Sequence, residues 1–268
     1  MSARSGRFAA DTGVTPIEPG RYTSRIDGGW WVQRGPNGGY VAAIVLRALV
    51  AAVGDAERLP RSLTIHYLRP PVEGPVEIDT TIERAGRSVT MASARLSQGG
   101  ETLALALGAF GSPRAGSSGF DDTVMPEVAP PDRCPPLARP PFPLPIGDRY
   151  ECLHGVGGEL FTEGPDARTG GWIRLADGEP ADVLAVAAFT DAWPPAVFTR
   201  STQPLGVPTV DLTIHFRQPG TDPLGWFLVA FSTRLSVDGY LEEDGEVWSE
   251  DGRLLAQSRQ LAIAVPMV

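Results

Sequence analysis

Several chemistries are excluded by what this chain lacks. It has two cysteines, Cys134 and Cys152, too few for a disulfide framework or a cysteine-rich zinc site. The three histidines add no metal-ligand spacing, so no metal centre is expected. No G-x-S-x-G occurs, which removes the serine nucleophile elbow. Positive charge is the minority sign: the net charge of −9 argues against a dedicated nucleic-acid binder. It leaves room for an anionic ligand held by a few arginines. The longest apolar stretch, residues 41–53, is 13 residues long and contains Arg47, too short to span a bilayer. The opening M-S-A-R-S-G-R-F lacks the apolar run of a signal peptide, so a cytoplasmic protein is expected. At 42% hydrophobic and 21% charged, the chain has enough apolar material for a sizeable core.

What the chain does have is internal similarity. Gly28-Gly29-Trp30 recurs as Gly170-Gly171-Trp172, an offset of 142, and Leu63-Thr64-Ile65-His66 recurs as Leu212-Thr213-Ile214-His215, an offset of 149. Each tetrapeptide continues as an aromatic, two residues and a proline, ending at Pro70 and Pro219. Each half also carries one helix candidate. In the first half Asn37 can cap, Gly38-Gly39 follow, and residues 40–53 run nearly all apolar to Gly54. A helix apolar on most sides has to be enclosed. In the second half Pro180 suits a first helical position and the run 181–193 follows.

After each L-T-I-H the pattern turns strand-like. Segments 76–84, 88–96 and 102–110 are separated by Ala-Gly and Gly-Gly, and 226–235, 240–249 and 254–265 by Asp-Gly pairs, which are hairpin signals. Residues 111–149 hold ten of the 26 prolines and no helical or alternating period, so they read as an extended connector. The expected organisation is a first unit at 1–111, a connector at 112–149 and a second unit at 150–268. This reads as a tandem duplication with a long crossover, not one continuous sheet built in chain order.

One carboxylate draws attention. Asp191 follows Leu184, Ala187 and Ala188 by seven, four and three residues, which places it on the apolar face of the helix candidate. An ionised group there is costly unless it is paired, and burial raises its pKa. Such a group is a candidate for chemistry, although Pro194 and Pro195 put it in a last turn that also fits a side chain fraying into water.

G-P-N-G-G-Y at 35–40, H-Y-L-R-P at 66–70, T-V-D-L-T-I-H-F-R at 209–217 and D-G-R-L-L-A-Q-S-R-Q at 251–260 together resemble the acyl-CoA thioesterase II family. The resemblance covers most of both halves and fades in the first twenty residues and the connector. It implies an α+β double hot-dog: two tandem units, each an antiparallel sheet wrapped around a central helix. It implies hydrolysis of fatty acyl-CoA without a metal, a cofactor or a covalent intermediate, coenzyme A being part of the substrate. It places the water-holding aspartate, threonine and glutamine on Asp191, Thr209 and Gln260, and it implies a homodimer or higher assembly.

By ungapped offsets these three fall on Leu49, Pro60 and Gly108 in the first half, so one working site and one vacated site are expected. Gly38 and Gly39, at a helix start, suit an oxyanion donor role and equally suit simple turn glycines. Strand parity puts Gln260 on the helix-facing side but sets Thr209 with Asp211, Thr213 and His215, away from it. His66 and His215, copied at equivalent points, read as structural rather than catalytic. Arg69, Arg84, Arg87 and Arg217 lie near the copied strands, without a signal for which would meet phosphates. The rival activities are a hot-dog enoyl-CoA hydratase or dehydratase, and a non-catalytic acyl-CoA binder.

Overall fold

The structure, a computed structural model, describes residues 6–114, 116, 119–139, 143–203, 205–218 and 225–266; Pro219, the end of the second copied motif, lies outside them. In the first unit a short helix α1 (Arg7–Asp11) precedes strands β1 (Thr15–Glu18) and β2 (Arg21–Ile26). Helix α2 (Gly38–Val53) follows, and then β3 (Leu59–Tyr67), β4 (Gly74–Ala85), β5 (Val89–Gln98) and β6 (Glu101–Gly111). In the second unit come β7 (Tyr150–Gly157), β8 (Ala167–Leu175), helix α3 (Val183–Phe189), β9 (Leu205–Gly206) and β10 (Thr209–Phe216). The chain ends with β11 (Phe227–Thr233), β12 (Ser236–Val237), β13 (Tyr240–Ser249), β14 (Leu254–Ile263) and β15 (Val265–Pro266).

Helix α2 forms where its signals place it. The Asn37 side chain caps it by accepting from the Tyr40 N–H, and Gly54 closes it in the left-handed conformation (φ 62°). Its residues from Gly39 to Leu46, with Ala48 and Leu49, are buried, as its all-round apolarity requires. Helix α3 is shorter than expected. Asp182 caps it by accepting from the Leu184 and Ala185 N–H groups, and it ends at Phe189. Pro180 therefore lies outside the helix, and Asp191 sits in the turn beyond it.

One 13-stranded sheet runs in the order β1-β2-β4-β5-β6-β3-β10-β14-β13-β11-β8-β7, with β12 on β13. It is continuous across the two units, though not in chain order, because β3 and β10 pair antiparallel. The pairing sets Leu63 against Ile214, Thr64 against Thr213 and Ile65 against Leu212. The two copied motifs thus lie on each other about a local two-fold axis, and the Thr64 and Thr213 hydroxyls meet at 3.1 Å across it. The inner edges of the two sheets are consumed by this contact. Of the two ends of this sheet, β7 is tied to the connector through the backbone of Leu137 and His154, which leaves β1 at the other end.

The L-T-I-H repeat is a structural equivalence, whereas the Gly-Gly-Trp repeat is not. Gly28–Trp30 is a 3-10 turn ahead of α2, while Gly170-Gly171-Trp172 lies within β8. Among its described residues the connector forms only short turns at Pro131–Arg133 and Pro145–Asp148 and is otherwise without helix or named strand. It does not merely travel. Met125, Val128 and Cys134 pack on an outer-face cluster of Trp172, Leu228, Trp248 and Leu254, and the Trp172 indole donates to the Ala129 carbonyl at 2.8 Å. No helix among the described residues is long and apolar enough to cross a membrane.

Candidate active site

Helices α2 and α3 meet end to start. A Cβ on Gly39 would lie 2.4 Å from the Ala188 carbonyl oxygen, so only glycine lets the first turn of α2 approach the last turn of α3 this closely. The turn after α3 then carries Asp191 onto the N-terminus of α2. Its Oδ2 accepts from the Gly39 N–H at 2.9 Å and from Asn37 Nδ2 at 2.9 Å. Asn37 Nδ2 also donates to the Asp191 carbonyl at 2.6 Å. The first unit's helix start thus holds the second unit's carboxylate, where the positive end of the helix favours it.

The Gly38 and Gly39 N–H groups, the candidate oxyanion donors, both turn to Asp191 in this structure. Nothing in the sequence linked residues 37–39 to a residue some 150 positions on; only the packing of the two helices does.

Thr209 and Gln260 close the site from the sheet. Gln260 lies opposite Leu212 on the helix-facing side of β14 and is buried. The parity objection to Thr209 is removed by a β-bulge. The register shifts between Thr209 and Asp211, so that Thr209 pairs with Ala262, two residues from Gln260 and on the same face. The Thr209 hydroxyl donates to Gln260 Oε1 at 2.8 Å. The Gln260 amide also reaches Asp191.

Burial pushes the Asp191 carboxyl up to about 6, against the Gly39 and Gly38 N–H groups and the Asn37 and Gln260 amides, which pull it down. Tyr67, whose hydroxyl donates to the Gly38 carbonyl at 2.8 Å, has its own pKa raised by burial and by the nearby Asp191 charge.

A second carboxylate was missed by the sequence reading. Glu243 on β13 is 4% exposed; its Oε1 accepts from Gln260 Nε2 at 2.9 Å and its Oε2 from the Ala196 N–H at 2.5 Å. Burial, with the neighbouring Asp191 charge, lifts it to about 7 against those two bonds. A signal was present: alternation along 240–249 sets Glu243 among Leu241, Gly245, Val247 and Ser249, the inward set.

The first unit repeats the frame without the polar groups. Leu63 opposes Gly108 as Leu212 opposes Gln260, and β3 carries the same bulge between Pro60 and Ser62. Gly108 is paired with Ala92 as Gln260 is with Glu243. A Cβ on Gly108 would lie 2.9 Å from the Phe110 ring and 3.3 Å from Leu49, both fully buried. Apolar side chains fill that copy.

His66 and His215 are exposed, on the outer sheet face, opposite Asp211 and Ser62 across the β3–β10 pair. Arg69 pairs with Glu101 at 3.6 Å and Arg217 bonds Gln257, while Arg84 and Arg87 are exposed. Among the described residues, no group of three or more His, Cys, Asp or Glu could hold a metal ion.

Comparison with known proteins covers both units. Residues 27–111 match the acyl-CoA thioesterase N-terminal domain, and residues 131–264 match the acyl-CoA thioesterase C-terminal domain. An uncharacterised protein of Mycobacterium tuberculosis is 28% identical over 288 residues, 96% of this chain and 97% of its own. A hot-dog protein of unknown function from Alicyclobacillus acidocaldarius is 30% identical and superimposes with a TM-score of 0.89, covering 98% of this chain and all of that one. The acyl-CoA thioesterase II of Mycobacterium marinum, 19% identical, shares the fold at a TM-score of 0.77 over 97% of this chain and 98% of its own. With both domains matched in order along one double hot-dog chain, this protein belongs to the acyl-CoA thioesterase family and is a thioester hydrolase.

Proposed function

We propose that the chain hydrolyses fatty acyl-coenzyme A thioesters by direct attack of a water held between Asp191 and Thr209. The observation that carries this reading is the Gln260 amide, which accepts from Thr209 and reaches Asp191 in the second unit, where the first unit has Gly108. Because the Thr209 proton is committed to Gln260, its oxygen is left to accept from the water. One water proton then points at Thr209 and the other at Asp191, the general base, and a lone pair faces the thioester carbon. The water oxygen forms the new C–O bond, the C–S bond breaks, and the proton taken by Asp191 is available to the departing thiolate. Coenzyme A enters only as part of the substrate. A cytoplasmic setting and assembly with a second copy belong to the same proposal.

The test is a panel of acyl-CoAs of increasing chain length, assayed for free thiol, beside an enoyl-CoA followed by its conjugated absorbance. Thiol release with no loss of the conjugated band is expected. Loss of that band without thiol would make the protein a hydratase; thermal stabilisation by every acyl-CoA with no thiol release would make it a binder.

A further inference from the structure

We propose that Glu243 is a positioning residue for this reaction: it fixes which way round the Gln260 amide sits, and through that amide it sets Thr209 and Asp191. The inference rests on the water-activation reading above. An amide has a donor end and an acceptor end of nearly equal shape, so packing alone does not choose between them. Here Gln260 Nε2 donates to Glu243 Oε1 at 2.9 Å and also serves Asp191, while Oε1 accepts from Thr209 at 2.8 Å. Turned over, the amide would set its carbonyl oxygen among two carboxylates and its N–H₂ against a hydroxyl. Glu243 thereby secures the one orientation that leaves Thr209 as an acceptor toward water.

The fold itself does not need a carboxylate there. The corresponding position of the first unit, opposite Gly108, is Ala92, also fully buried. Glu243 therefore occurs in the copy that has Thr209 and Gln260, and is replaced by a methyl group in the copy that has Pro60 and Gly108 in their places. A buried carboxylate without such a task would cost stability. Its other oxygen accepts from the Ala196 N–H, so both carboxylate oxygens have a donor.

The experiment is a double-mutant cycle on the full chain, read as kcat and KM for thiol release from a saturating acyl-CoA. In Glu243→Gln the new carbonyl can keep the Ala196 N–H, but its N–H₂ then confronts the Gln260 N–H₂ and forces the amide over. The expected result is a fall in kcat of roughly 10- to 100-fold, the scale of an unsatisfied buried polar group, with KM within about twofold. In a Gln260→Ala background the same substitution should change nothing further. E243Q activity within twofold of wild type, or a double variant slower by the product of the two single effects, overturns the proposal. Should E243Q fail to fold, Glu243→Ala, which installs the side chain the first unit carries there, is read in the same cycle. Asp191→Asn assayed alongside separates the two failures: full activity there overturns Asp191 as base, whereas full activity confined to the Glu243 variants overturns only the role of Glu243.

Discussion

At the scale of single residues, the site is one buried carboxylate, Glu243, and one partly buried carboxylate, Asp191, with one amide between them. Asp191 is raised to about 6 and Glu243 to about 7, burial being the first cause in each. In an unfolded chain both groups titrate near 4. Between about 4 and 7 the folded state thus holds protons that the unfolded state has released. The stability contributed by the two groups is full below that window and falls as pH rises through it. Turnover runs the other way, because a base must be ionised: kcat should rise through an apparent pKa near 6 and level off above 8. Differential scanning calorimetry of Asp191→Asn at pH 8 should give a Tm above wild type, the gain shrinking toward pH 4. A kcat independent of pH between 5 and 8, or a D191N gain that persists at pH 4, would contradict this assignment. Asp191 was legible as a candidate because its spacing from Leu184, Ala187 and Ala188 put it on an apolar stripe. Glu243 sat in an equally readable alternation, but its bonds to Gln260 and Ala196 come from other strands and turns.

At the scale of elements, the contact that matters is helix start against helix end. Gly39 is required by the approach of Ala188, whose carbonyl oxygen lies 2.4 Å from where a Cβ would stand. Gly39→Ala should therefore push α2 off α3, loosen the Gly39 N–H bond to Asp191, and destabilise by about 1–3 kcal/mol, the cost of an overpacked core. Chemical denaturation reads the stability and thiol release reads the activity; unchanged values for both would mean the two helices are not held this closely. Element type and order were largely readable from caps, turn pairs and alternation, since those signals are local. The end of α3 was not: no proline or glycine interrupts residues 181–193, yet the chain leaves the helix after Phe189 to carry Asp191 to α2. The bulge at Thr209 was also invisible, because a one-residue register shift against β14 leaves no mark on β10 alone. Its twin at Pro60 shows that the bulge belongs to the fold, and that a threonine placed there acquires an inward hydroxyl.

At the scale of the whole molecule, the chain is two copies of one frame joined through β3 and β10, with a single core cluster that runs from Phe8 through both helices to Ala256. The duplication was readable in L-T-I-H, while Gly-Gly-Trp was a chance likeness between a turn and a strand. The edge-to-edge merger escaped the sequence because it depends on which strand ends each half-sheet. What distinguishes the copies is the pocket: Thr209, Gln260 and Glu243, beside Asp191, in one, and Pro60, Gly108 and Ala92 in the other. The first copy instead contributes Asn37, Gly38 and Gly39 to its neighbour. One site per chain, assembled from both units, is the central claim. It is tested most directly by steady-state thiol release from Asp191→Asn at saturating acyl-CoA. The account predicts a loss on the order of 10²- to 10⁴-fold, the share of a general base, in a protein whose melting remains cooperative. Half or more of the wild-type rate surviving would contradict it, because a second, independent site would then be at work in the first unit.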